Sequence, residues 1–296
     1  MTSALDQHDR PWRIVVIGAG GKMGMRVSDN LHRTTHAIFY VESSPVGQDR
    51  IRAAGRTVSV ADEVLDTADV VILAVPDVVL GTVSGAAVPQ LPAGAIVLTL
   101  DPAAAYAGLL AHRDDVHYAV AHPCHPSVFL ERTTPEQHAD TFGGVAAPQE
   151  VVAAFEPAGG TDDAARDRAE QVIRVIYGPV LDVHWVTVKQ LAVLEPTLVE
   201  TVACAISPLL DNALHEAVHT VGVPEAAAKA MLFGHIQIAL TNSLRGSNPF
   251  SDACLIAMDY GRSTIIAEDW KKIFDDSELD AVIAKMLHLD GAAAPR

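Results

Sequence analysis

The sequence predicts an α/β protein, with a doubly wound parallel sheet at the N-terminus followed by a mostly helical C-terminal domain. Two observations carry this. Through the first half, short apolar runs of strand length alternate with helix-length segments, the pattern of parallel strands joined by right-handed crossovers. From about Val188 the alternation stops, and long alanine- and leucine-rich stretches with helical character replace it. The expected boundaries are 1–150 for the sheet domain, 151–187 for a connector and 188–296 for the helical domain.

Each element follows from its own residues. Residues 13–17 (RIVVI) form an apolar strand that ends in GAGGKMG, followed by a helix over 23–32 and a second strand over 37–41. Further strands are expected at 70–75, 95–100 and 117–121, with helices or helical turns over 61–66, 77–87 and 103–112 between them. The connector is expected to hold loops, one helix over 163–175 and a late strand. Beyond it, helices are expected over 188–221, 224–244, 251–260, 264–274 and 278–287. The breaks between them fall at Gly222 with Pro224, at Asn248-Pro249 and at Gly261. The tail from Gly291 is expected to fray.

Composition excludes several classes of function. The chain carries 37 acidic against 21 basic side chains, a formal charge of −16, so its field repels nucleic acid and anionic membranes. Three widely spaced cysteines, Cys124, Cys204 and Cys254, form neither a disulfide framework nor a CxxC metal motif, which fits a reducing cytoplasm. The opening MTSALDQHDRPW is polar and lacks the apolar core of a secretion signal. The apolar stretch 191–210 contains Glu195 and Glu200, whose carboxylates are costly at mid-bilayer, so it is read as a buried or interface helix. A soluble cytoplasmic protein that binds a small molecule and pairs with a second copy of itself is the expectation.

The glycine loop is the first motif with chemistry. Gly18, Gly21 and Gly24 stand three apart, with Gly20 between, after a strand and at the start of a helix. Such glycines allow a tight turn and bring a dinucleotide's pyrophosphate onto the helix N-terminus, as in the Rossmann fold. The strict GxGxxG form fails because Met23 holds its last position; GxxGxxG fits. Glu42, at the end of the second strand, is suited to accept from ribose hydroxyls and to repel a 2′-phosphate, which favours NAD over NADP. Val75, Pro76 and Asp77 follow the third strand, at the sheet edge where ligands bind. A structural glycine turn in an unrelated α/β protein is the plain alternative, and Asp77 could equally be an ordinary helix-start residue.

Residues 121–126 (AHPCHP) follow a strand at the same edge. His122 and His125 could act as metal ligands or general acid/base, with His122 ranked first because it is nearer the strand end. Cys124 as a nucleophile would need a base and a lowered pKa, and neither is visible. Lys189 and Glu195 open an otherwise apolar helix, and Pro196 is expected to kink it. Glu195 is either a paired carboxylate at a helix contact or part of a site. Glu200 lies about 140° further round the helix, so the two need not share a site. His215-Glu-Ala-Val-His219 matches the HExxH pattern of zinc proteases, but the helix breaks at Gly222 with no third ligand after it. An amphipathic helix end bearing two histidines is preferred.

With GAGGKMG, Glu42, AHPCHP and KQLAVLEP in view, the chain resembles the β-hydroxyacid and phosphogluconate dehydrogenase superfamily in its domain order. More narrowly, it is similar to the D-apionate oxidoisomerases, NAD-dependent enzymes of branched-sugar-acid catabolism. The resemblance implies that Gly21, Lys22 and Met23 contact NAD and Glu42 its ribose. It further implies that His122 and Glu195 hold a divalent metal, zinc, and that D-apionate is oxidised with carboxylate migration to 3-oxo-isoapionate. Lys189 or His125 would then handle the hydroxyl proton. The β-hydroxyacid dehydrogenases usually carry a catalytic lysine with an asparagine one turn later; here Val193 stands four residues after Lys189. Two other readings compete. One is a simple NAD-dependent hydroxyacid dehydrogenase, on a 3-hydroxyacid or a prephenate-like substrate, with His122 as base. The other is an NAD-sensing protein without turnover.

Overall fold

A computed structural model describes residues 10–246 and 250–289. Seven strands form one sheet: β1 (Arg13–Ile17), β2 (Ala37–Val41), β3 (Val70–Leu73), β4 (Ile96–Thr99), β5 (His117–Pro123), β6 (Gln149–Glu156) and β7 (Val180–Val186). Their spatial order is β2-β1-β3-β4-β5-β6-β7, and every neighbouring pair is parallel except β5 and β6. The central strands are continuous apolar runs because helices cover both faces of a parallel sheet. Ile14, Val16, Ile72 and Leu98 are fully buried and share one core with Val27 and Leu31 of α1 (Lys22–Leu31). Successive strands are added on opposite sides of β1, first β2 and then β3, so the crevice above their carboxyl ends is the sheet's natural ligand site.

Besides α1, the helices between these strands are α2 (Pro45–Ala53), α3 (Asp77–Ala87), the single turn α4 (Ala103–Tyr106), α5 (Pro135–Ala139) and α6 (Asp163–Ile176). Helix α2 starts with Pro45 after Ser44, whose hydroxyl accepts from the Gly47 amide. The stretch 61–66, expected as a helix or helical turn, forms helical turns: two 3₁₀ turns, Ala61–Glu63 and Leu65–Thr67. Of the stretch 103–112, expected as a helix or helical turn, a single turn forms, Ala103–Tyr106, which ends before Gly108 at φ 66°.

The segment 151–187, expected as a connector, carries α6 and most of two strands of the same sheet. Strand β6 returns antiparallel to β5, and β7 closes the edge beside it. The first compact unit therefore comprises Met1–Glu195 with Asp280–Arg296, and the second is Pro196–Leu279.

After β7 come α7 (Val188–Ala192), α8 (Ala205–His215), α9 (Glu225–Arg245), α10 (Asp252–Ile265) and α11 (Asp276–Met286). The expected kink at Pro196 takes the form of a wide-turn stretch, Val193–Cys204. Wider i→i+5 turns are a common way for a helix to absorb a missing i→i−4 bond. Gly261 does not break the chain as expected: α10 runs through it, at a cost of about 1 kcal/mol for a mid-helix glycine. The helix instead ends before Ile266, so the stretch expected as a helix over 264–274 divides between α10 and a 3₁₀ segment, Trp270–Phe274. The Asn248-Pro249 break and the tail from Gly291 lie outside the described residues.

Candidate active site and metal centre

The glycine loop turns directly out of β1. Gly18 adopts φ 80°, and a side chain there would place its Cβ 2.5 Å from the Ala74 carbonyl oxygen. Only glycine allows β1 to turn this tightly beside the end of β3. The Gly18 and Ala19 amides donate to the Val41 carbonyl at 2.9 and 3.1 Å, and Gly21 caps α1. The N-terminus of α1, with Lys22 and Met23 in its first turn, thus opens at the carboxyl end of the sheet.

Glu42 meets this loop from the end of β2. Its carboxylate accepts from the Gly20 amide at 3.0 Å and the Ser44 amide at 2.8 Å. Gly47 makes room for it, since a Cβ there would lie 2.6 Å from the Glu42 Cδ. The carboxylate is held in one place, and a carboxylate can accept further hydrogen bonds beyond these two.

A cavity of about 450 Å³ opens at the same edge. Its wall includes Gly21, Lys22 and Met23, then Val75, Pro76 and Asp77 after β3, then Asp101, His122, His125, Phe142 and Tyr177. The residues expected at the helix start and those expected at the end of β5 therefore face one volume. Lys189 is exposed on α7 and is not part of this wall.

Three potential metal ligands gather here. One donor atom each from Asp101, His122 and Glu195 lies within 4.8 Å of the others, the only such trio of His, Cys, Asp or Glu among the described residues. His122 and Glu195 are the expected pair, and Asp101 is an addition. Two residues past the register pair Thr99–Val120, the parallel strands β4 and β5 bring Asp101 and His122 to the same level. Glu195 comes from the wide-turn stretch that continues α7, and α7 is pinned to the sheet where Leu191 packs against Val120 and Ala154. One turn beyond Leu191 stands Glu195, itself buried.

The chemistry of the trio suits a cation. Nδ1 of His122 is buried without a hydrogen-bond partner, an expensive arrangement for an imidazole that only supports the fold. Burial, reinforced by His125 and opposed by the Leu100 carbonyl, lowers the His122 pKa to about 4. The ring is therefore neutral near pH 7, the form that ligates a metal. Cys124 is a poor nucleophile, because desolvation and then the Glu150 carboxylate push its thiol up. His215 and His219 do lie side by side, with ring centroids 4.4 Å apart, but no third ligand joins them among the described residues.

The loop after β5 is braced over α1. His125 sits at φ 59° with Nδ1 2.7 Å from the Phe142 carbonyl oxygen, and the Arg26 guanidinium lies 4.1 Å from the centre of the Phe142 ring. Asp140 accepts from the amides of Gly143, Val145, Ala146 and Ala147. Burial alone would raise its pKa; those four donors together hold it below the ordinary carboxylate value.

Comparison with known proteins shows the family and the fold. The C-terminal family of decarboxylating phosphogluconate dehydrogenase matches residues 130–287. A D-apionate oxidoisomerase from Pectobacterium atrosepticum is 63% identical over 277 residues, spanning 94% of this chain and 96% of its own length. The chain belongs to the D-apionate oxidoisomerase family. A second family member, from Cupriavidus necator, is 40% identical over 93% of this chain and 99% of its own. Among solved structures, a semialdehyde dehydrogenase NAD-binding protein from Cupriavidus necator, in complex with calcium and NAD, superposes with a TM-score of 0.89. It is 40% identical, covering 94% of this chain and all of its own. The fold is accordingly that of an NAD-binding oxidoreductase.

Asp101 is the site residue that sequence reasoning missed. The rule that singled out Val75-Pro76-Asp77, polar residues just past a parallel strand, applies equally to Leu100-Asp101-Pro102.

Proposed function

We propose that this chain oxidises D-apionate with NAD and shifts one carbon substituent of the oxidised substrate in the same active site, giving 3-oxo-isoapionate. The observation that carries the reading is the single cavity whose wall runs from the start of α1 to Asp101 and His122. Cofactor and reacting centre would share one cavity, as hydride transfer requires.

In this reading Gly18, Gly20, Gly21, Lys22, Met23 and Gly24 form the pyrophosphate turn, Glu42 holds the adenosine ribose, and Val75 and Pro76 wall the cavity. His122 and Glu195 hold a divalent cation. An imidazole nitrogen beside carboxylate oxygen suits zinc better than calcium, which favours all-oxygen shells. When bound, such a cation would supply positive charge to the substrate oxygen that becomes anionic as its hydroxyl proton leaves, before hydride transfer to NAD converts it to a carbonyl. His125, on the cavity wall, is the better placed of the two candidates for the hydroxyl proton. Lys189, outside the wall, is the second.

Mixing the protein with NAD and D-apionate is expected to give NADH in step with a rearranged product, followed by absorbance and NMR. If a protein that binds NAD makes no NADH from D-apionate, the substrate assignment fails and the simple hydroxyacid dehydrogenase takes its place. Replacing Glu42 with alanine is expected to weaken NAD binding about 10- to 100-fold, the worth of charged hydrogen bonds, and to narrow the preference over NADP. Parallel titrations with the two dinucleotides read both effects.

A homodimer completes the proposal. The unit Pro196–Leu279 buries few of its described residues and exposes large apolar side chains, among them Ile256 at 72% and Tyr260 at 71%. The run Val188–Thr220 is long and apolar enough to cross a membrane by length and composition. With Glu195 and Glu200 inside it, a second copy of the chain suits its apolar surface better than lipid. Sedimentation at micromolar concentration is expected to give the dimer mass, and a monomer would count against it.

A further inference from the structure

We propose that Asp101 is the third protein ligand of the metal centre and that its open side binds the substrate as an α-hydroxycarboxylate, through hydroxyl and carboxylate oxygens. The inference rests on the reading above, that His122 and Glu195 hold a divalent cation.

Three observations support it. The Asp101 donor atom belongs to the same 4.8 Å trio as those of His122 and Glu195, and the strand register sets it level with His122. Its orientation is fixed, since Oδ1 accepts from the Ala103 amide at 2.9 Å at the start of α4. The third observation is electrostatic. Apart from its imidazoles, the cavity wall has one cationic side chain, Lys22, and that residue stands in the first turn of α1 beside the glycine loop. Asp77 and Asp101 share the wall, so a sugar-acid carboxylate entering without a cation would meet like charge.

Two carboxylates and a neutral imidazole balance a divalent cation exactly in formal charge and leave part of its shell open. Catalytic metal sites commonly keep such a face for substrate. A carboxylate with an adjacent hydroxyl closes a five-membered chelate there, whereas a simple alcohol or an isolated carboxylate cannot. The centre would select its substrate class by this chelation, and binding would require the metal to be in place first.

The test uses Asp101→Asn, because asparagine keeps an oxygen to cap α4 but is a weaker ligand. Wild type and variant, both stripped by chelator and loaded with NADH, are titrated calorimetrically with Zn²⁺ and with Mn²⁺. The expected result is one site per wild-type chain and an affinity at least about tenfold weaker in the variant, with thermal midpoint and NADH affinity unchanged. Equal affinity in the two proteins would overturn the role of Asp101 while leaving the metal reading intact. No binding by wild type would overturn the metal reading itself. D-Apionate is then titrated into the NADH complex of wild type, metal-loaded and stripped. Binding at least about tenfold tighter with metal is expected, and equal binding would refute the chelate.

Discussion

Replacing His122 with alanine is expected to lower kcat/KM for D-apionate about a thousandfold, while NAD affinity stays within about threefold of wild type. The ring stands at the end of β5, its backbone level with Val152 of β6, and contributes to the cavity wall opposite the glycine loop. Its removal takes away the one nitrogen donor of the trio without touching Gly18, Gly21 or Glu42. The same substitution should cost the fold little. Nδ1 is already buried without a partner, so deleting it removes a desolvation cost of about 1–3 kcal/mol against the packing lost with the ring. Steady-state kinetics, an NAD titration and a thermal melt of the metal-free protein read the three effects separately. Unchanged turnover would remove His122 from the reaction, and a collapse of the fold would mean that its role is structural.

Replacing Gly18 with valine is expected to strike the other wall. The site demands φ 80°, where a β-branched residue is strained, and its Cβ would lie 2.5 Å from the Ala74 carbonyl and 2.7 Å from Val75 Cγ1. Strain and clash together should destabilise the protein by about 3 kcal/mol. Relief requires moving the turn away from β3, which shifts the start of α1 relative to Val75 and Pro76. NAD affinity should then fall about 100-fold or more, equivalent to about 2.8 kcal/mol. Chemical denaturation and a dinucleotide titration measure the two losses. A variant that binds NAD as wild type does would show that the turn is not the cofactor's seat.

What could be read in the sequence divides along physical lines. Parallel strands buried on both faces leave unbroken apolar runs, so RIVVI, VVIL and IVLT announce themselves, and the loops at their carboxyl ends can be ranked by position alone. His122 and the glycine turn were legible for that reason. Strand β7 was harder: at the sheet edge, Leu181, Asp182 and His184 are exposed, and its pattern resembles a loop. Strand β6 returns antiparallel to β5 after a long connection, outside the alternation that marks the others. Asp101 and His122 are 21 positions apart and His122 and Glu195 are 73 apart. Their meeting depends on the adjacency of β4 and β5 and on the packing of Leu191 against Val120 and Ala154. No local spacing encodes that, and Glu195 stood out only through its helix and the family resemblance. Gly261 shows the opposite failure, a strong local break signal overridden by the helix around it.

The most direct test of the account is the metal dependence of turnover. The protein is stripped with chelator, shown to retain NAD binding, and assayed for NADH formation from D-apionate while Zn²⁺ is added back in steps. The account predicts negligible NADH without metal and a rate that rises to a plateau near one ion per chain. Undiminished NADH formation by the stripped protein, with its metal content verified as negligible, would contradict a metal centre at His122 and Glu195.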